Sequence, residues 1–204
     1  MKKSATVLLL LALALASCKT VRTYYYIIDT DITAPKAGKQ LPLTVAVNNV
    51  RAPSRYQDQM VYRTSDYEVG FYEYSQWVEQ PAEMVRRGLL NALKNSGLFR
   101  RVDTIDVVVN PDLTLQSSIV SFDQVIAKDG EFAECEFRLE LLRGNSGQVV
   151  WSYDAKARVP QKRKGMFVDA MSEAVSKAIN DSVADMEKSA ALQKFAEGKE
   201  KQAS

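Results

Sequence analysis

The apolar positions of this chain fall into two rhythms. From Ala133 to Leu141, Ala133, Cys135, Phe137, Leu139 and Leu141 alternate with Glu134, Glu136, Arg138 and Glu140, a period of two that predicts a strand with one buried face. Val149, Trp151, Tyr153, Ala155 and Ala157 repeat that period within Gln148–Val159. Leu113–Ala127 begins the same way at Leu113, Leu115 and Ser117, then slips phase around Ile119, Val120 and Phe122, which predicts a bulge or strong twist. Lys128-Asp129-Gly130 and Gly144-Asn145-Ser146-Gly147 separate the three runs, so consecutive antiparallel strands joined by tight turns are expected. Upstream, Tyr24–Ile28, Leu43–Val50 and Leu98–Val109 read as further strands, with a loop over Thr30–Pro42 and a turn at Asn110-Pro111-Asp112. Gln59–Ser75 reads as two or three short strands broken near Ser65-Asp66 and at Gly70.

Two segments follow the helical period instead. Pro81 opens the first, where its missing N–H costs nothing, and Glu83 suits the positive end of the helix dipole. Val85, Leu89 and Leu93 recur every four residues, joined by Met84, Leu90 and Ala92, while Arg86, Arg87, Asn91 and Lys94 face out. Gly97 supplies a left-handed stop. From Met166 onward, Ala170, Met171, Ala174, Val175, Ala178, Ile179, Ser182, Val183 and Met186 trace a second stripe. The tail, Lys188–Ser204, is polar with few anchors (Leu192, Phe195), and fraying is expected there. These elements predict an α+β fold: a single domain with a mixed, mostly antiparallel sheet and two main helices packed on it. No internal repeat or Pro/Gly/Ser-rich linker divides it.

The N-terminal residues follow neither rhythm. Lys2 and Lys3 precede an apolar run of ten residues from Val7 to Ala16, then small residues lead to Cys18. That order is a secretory signal, and the run is well short of the roughly 20 residues a spanning helix needs. Leu15-Ala16-Ser17-Cys18 resembles the lipobox of bacterial lipoproteins. That resemblance implies that Cys18 receives a diacylglyceryl group and, after cleavage, an N-acyl chain. Burial of acyl chains contributes about 0.8 kcal/mol per methylene, and several chains give lasting attachment. Lys19 after the cysteine, in place of Asp, resembles sorting to the outer membrane, with the domain facing the periplasm. The expected organisation is a signal peptide over 1–17, a lipidated tether over 18–23, the domain over 24–187 and a charged tail over 188–204.

Removing residues 1–17 takes two lysines and no acid, so the 27 basic side chains fall to 25, equal to the 25 acidic ones. A balanced chain does not suggest nucleic-acid binding, which usually needs a basic face. With Cys18 acylated, Cys135 has no disulfide partner in the chain, and its place in the alternation makes it a buried packing thiol. The absence of histidine excludes His-dependent triads and His metal sites. No glycine-rich phosphate loop or nucleophile elbow occurs. Asp66, Glu68, Glu73 and Glu79 are dense enough to raise a glycosidase-like carboxylate pair, but such residues are far more often solvated strand positions. The chain is therefore expected not to be an enzyme and to need no cofactor beyond the covalent acyl chains.

What stands out is aromatic. Tyr56, Tyr62, Tyr67, Phe71, Tyr72, Tyr74 and Trp77 crowd into 22 residues. Most should pack between sheet and helices; a few left exposed would form a docking strip for a partner, with Tyr72, Tyr74 and Trp77 the candidates. Arg63 is either solvated or paired with Glu68 or Glu73. Lys162-Arg163-Lys164 forms a basic loop that is solvated or touches acidic lipid head groups.

Several segments then carry a resemblance in series: Tyr25-Tyr26; Val45–Pro53 (VAVNNVRAP); Val61-Tyr62-Arg63; Tyr72–Trp77 with Pro81; Leu89–Val102 (LLNALKNSGLFRRV); and Gly147–Trp151 (GQVVW). In this order after Cys18, they resemble the ABC-type transport auxiliary lipoprotein family, the PqiC-like lipoproteins that accompany MCE-domain proteins. The resemblance implies an α+β fold. It also implies partnership with an MCE-domain protein and its ABC transporter or permease components, which carry phospholipid between the membranes. Because MCE proteins form rings, a matching homo-oligomer is compatible with this role, although no pattern in the chain encodes one. Two other expectations compete: a structural assembly lipoprotein of another envelope complex, and a domain that itself binds an acyl chain.

Overall fold

A computed structural model describes residues 21–144, 146–162 and 167–203. Among these, eight strands form one sheet: β1 (Tyr24–Tyr26), β2 (Leu41–Arg51), β3 (Gln59–Arg63), β4 (Val69–Trp77), β5 (Phe99–Thr104), β6 (Leu113–Ala127), β7 (Gly130–Arg143) and β8 (Val149–Pro160). Three helices accompany them: α1 (Pro81–Ser96), α2 (Phe167–Lys188) and α3 (Ala190–Ala203). The expected α+β class holds, with one helix more than the two main ones.

Strand β6 organises the sheet. On one side it pairs antiparallel with β7 along its whole length, from Leu113 opposite Arg143 to Ala127 opposite Gly130. β8 continues the meander antiparallel to β7. On the other side β6 serves two strands in turn: its first half pairs parallel with β2 through Leu113–Ser118, and Gln124 and Val125 pair parallel with Tyr62 and Arg63 of β3. Between them the connection after β2 fills the edge, with the Arg55 Nη2 donating to the Val120 carbonyl at 3.1 Å. The expected bulge falls at the same place, as a register shift between Ile119 and Ser121. β5 extends the sheet beyond β2 in parallel, and β4 and β1 extend it beyond β3, the β1–β4 pair also parallel.

α1 starts at Pro81 and stops at Gly97, whose φ of 67° and ψ of 14° place it in the left-handed region that suits glycine. Its buried stripe of Met84, Val85, Leu89, Ala92 and Leu93 lies on the sheet. Gly88 lets α1 approach its neighbours closely, since a Cβ there would stand 2.9 Å from Ile32 Cδ1 and 3.1 Å from Ile179 Cδ1. α2 buries the whole stripe from Ala170 to Met186. β5 is shorter than the expected Leu98–Val109 because Val107 and Val108 turn back to donate to the Thr104 carbonyl. Cys135 is buried on β7, and burial pushes its thiol up to about 12, which keeps it protonated and unreactive.

The tail expected to fray is instead α3. Ser189 caps it, its Oγ accepting from the Leu192 N–H at 3.4 Å. Leu192 and Ala196 are buried and Phe195 is partly so. Lys199 Nζ stands 2.9 Å from Asp112 Oδ1. Residues 192, 195, 196 and 199 have the spacing of one helical face, and that face closes over β2 and β8.

Inside the sheet sits a charged cluster. The register sets Asp123 of β6 directly opposite Glu134 of β7, and both are buried. Like charges facing each other across strands repel. Arg63, at the end of β3, clamps them: Nε lies 2.7 Å from Asp123 Oδ2 and Nη2 lies 2.6 Å from Glu134 Oε1. Tyr56 donates its hydroxyl to Asp123 Oδ1 at 2.8 Å, and Arg158 Nη1 approaches Glu134 Oε2 at 3.8 Å. The expected partners of Arg63, Glu68 and Glu73, are engaged locally, by the Thr64 and Tyr74 hydroxyls. Burial raises the pKa of Asp123 even though Tyr56 and Arg63 oppose the rise. Tyr56 is pushed up to about 12, by burial and then by the Asp123 charge.

Two outcomes follow for stability. Arg63→Met leaves two buried carboxylates without their clamp and should cost about 3–5 kcal/mol in urea unfolding at neutral pH. A carboxyl whose folded pKa is raised destabilises the fold as pH climbs through the window above its unfolded value. The deficit of Arg63→Met should therefore shrink under mildly acidic conditions; an equal deficit at both pH values would contradict the clamp. Leu192→Ala should cost about 2–5 kcal/mol, the range for emptying a closed apolar site, whereas an unpacked tail would register almost no change.

Candidate functional site

The aromatic-rich segment folds into β3, β4 and their connections, and the strand register sorts its residues. Val61 of β3 faces Phe71 of β4, but Gln59 faces Gln76. Residues 72–75 therefore bulge out of the β3–β4 ladder, and the alternation of buried and exposed positions breaks there. Trp77 emerges pointing inward. It is 3% exposed and packs edge-on against Phe122 with ring centres 5.6 Å apart, and against Phe167 at 6.0 Å. This corrects the expectation of Trp77 in an exposed docking strip: it is core. Tyr72 is half-buried, its hydroxyl bonded to Gln124 Oε1 and its ring 5.1 Å from that of Tyr62. Burial, then Glu131, raises its pKa. Of the three candidates only Tyr74 lies exposed, donating to Glu73 Oε1 at 2.7 Å.

The exposed aromatic surface is larger than that triplet and differently placed. Tyr24 and Tyr25 are exposed on β1, which hydrogen-bonds on one side to Ser75 and Gln76 of β4 and forms the margin of the sheet. Val69 and Phe71 are exposed on β4, and Tyr67 is 98% exposed at the tip of the β3–β4 hairpin. These residues lie along one margin of the sheet and at its tip. Sequence reasoning missed Tyr24, Tyr25, Tyr67 and Phe71 as surface residues because the parallel pairing that makes β1 a margin leaves no local pattern.

Beneath this margin is a pocket of about 290 Å³ whose walls include Tyr26, Met60, Tyr72, Gln124, Glu131 and Phe167. Its polar groups bond to one another, with Gln124 Nε2 donating to Glu131 Oε2 at 3.1 Å. A hollow of about 460 Å³ between the start of β2 and α3 is lined largely by polar residues, among them Lys39, Gln40, Glu187 and Gln193. The hollow lacks the largely apolar lining typical of small-molecule sites, whereas the pocket is walled chiefly by Tyr26, Met60, Tyr72, Phe167 and Val168.

Of the basic loop, Lys162 is exposed, with its Nζ 3.8 Å from Glu173 Oε2. Arg163 and Lys164 lie outside the described residues, as does Cys18. Among the described residues, no group of three acidic or thiol side chains is arranged to hold a metal ion, and no helix is long and apolar enough to cross a membrane.

Comparison with known proteins adds identity to this geometry. The model of the family described as ABC-type transport auxiliary lipoprotein component matches residues 25–185. No curated protein matches the sequence. Among solved structures, protein XCC0632 from Xanthomonas campestris is similar at 16% identity and a TM-score of 0.67, covering 88% of this chain and 99% of its own. A second crystal structure, of an uncharacterized protein, aligns at 18% identity and a TM-score of 0.59, covering 82% of this chain and 98% of that one. At these identities the structural likeness speaks to the fold, whereas the family match spans nearly the whole domain. The chain belongs to the ABC-type transport auxiliary lipoprotein family.

Proposed function

We propose that the protein is anchored at the outer membrane by acyl chains on Cys18. There it serves, facing the periplasm, as the non-enzymatic accessory of an MCE-type phospholipid transport system, positioning the outer-membrane end of the transport tunnel. The observation that carries this reading is the family match over residues 25–185, combined with a lipobox-like sequence just upstream. An accessory of this kind needs no energy-converting motif, because the ATPase partner supplies that step. It also needs no substrate site. Its contribution would be position: a domain on a short tether, held at a fixed height, presenting a folded surface to a neighbour.

The anchor and the partnership are tested separately. Cys18→Ser should move the protein from the membrane fraction to the soluble periplasmic fraction without loss of folding; continued sedimentation with membranes would speak against acylation. Native-level crosslinking followed by purification should recover an MCE-domain protein or its ABC components. Recovery of only barrel-assembly or cell-wall proteins would favour a structural assembly role.

A further inference from the structure

We infer that the β3–β4 hairpin end and the β1 margin lie against the bilayer surface, with exposed tyrosines at the head-group level. This rests on the acylation of Cys18 proposed above and adds to it an orientation. The argument begins with tether length. Cys18 lies six positions before Tyr24, so the acylated residue lies at most roughly 20 Å from the start of β1.

Direction comes from the register. β1 runs parallel to β4, with Tyr24 beside Ser75 and Tyr26 beside Trp77, so the chain enters β1 from the side of Val69 and the hairpin tip. Val69 likewise lies six positions before Ser75, again roughly 20 Å along a strand and less where it bulges. A fully extended tether therefore barely reaches past the tip. The acyl chains cannot enter a bilayer unless this margin or this tip stands next to it.

The surface in that position has suitable chemistry. Tyr24, Tyr25, Tyr67, Val69, Phe71 and Tyr74 are all exposed there. Tyrosine pairs an apolar ring with a polar tip and suits the water–lipid boundary. The same end of the sheet carries the β6–β7 turn and the exit from β8, since Arg63 pairs with Val125 and Phe132 with Pro160. Exposed charges at this end are mixed: Arg22, Lys128 and Lys162 stand with Asp66, Glu68 and Asp129. Such a surface depends on its aromatic groups rather than on acidic lipid. At the opposite end, the β7–β8 turn and α3 face away from the bilayer.

The test uses the acylated protein purified from membranes and reconstituted into phosphatidylcholine vesicles, and separately into vesicles of phosphatidylethanolamine and phosphatidylglycerol. A nitroxide is placed on Asp66→Cys at the hairpin tip or on Gln148→Cys at the far end; buried Cys135 does not take the label. Reconstitution should strip the label at 66 of its accessibility to a water-soluble nickel chelate in both vesicle types and leave the label at 148 unchanged. If the protein floats with the vesicles but both labels stay equally accessible, the orientation is wrong and the anchor stands. Loss at 66 only with phosphatidylglycerol would overturn the aromatic basis of the contact. Failure to float at all would remove the anchor, and this inference with it.

Discussion

The fold depends on one strand having to satisfy three neighbours. β6 gives its full length to β7 and divides its other side between β2 and β3. A strand that changes partner midway needs local relief, and the shift at Ile119–Ser121 supplies it where the intervening connection passes. The price is a pair of carboxylates, Asp123 and Glu134, facing each other inside the sheet. Arg63 offsets that repulsion from the strand that joins β6 there. The clamp thus fixes where β3 docks, hence where β4 and β1 lie, hence where the chain leaves toward its N-terminus.

That sequence of constraints connects the interior to the proposed role. The family match identifies a transport auxiliary lipoprotein, and an auxiliary on a short tether has little freedom in how it faces its membrane. The aromatic margin and the point where the chain enters β1, from which the proposed tether leaves, fall on the same side of the molecule. The opposite end, where Lys199 meets Asp112 and Trp151 Nε1 donates to Asp185 Oδ1 at 2.7 Å, is built from α3, α2 and the returning strands.

Local patterns made much of this legible in advance. The β6–β7–β8 meander, its bulge and α1 between Pro81 and Gly97 all rest on periodicity or turn chemistry within a few residues. The parallel pairs β1–β4, β2–β5, β2–β6 and β3–β6 do not, because no neighbouring residue encodes a partner dozens of positions away. The expectation that Arg63 is either solvated or paired with Glu68 or Glu73 fails for the same reason, because its partners lie on β6 and β7. Trp77 looked like a surface residue because the bulge in β4 shifts the phase just before it. The α3 face was present in sequence as Leu192, Phe195, Ala196 and Lys199, but the surrounding charge obscured it.

All of the functional account comes down to whether a lipid is joined to residue 18. Intact mass spectrometry of the protein extracted from native membranes measures this directly. The account predicts a mature chain starting at Cys18 and heavier than its 187 residues by a diacylglyceryl group and an N-linked acyl chain. A mature chain of unmodified mass, or one cleaved elsewhere with a free thiol at position 18, would contradict it.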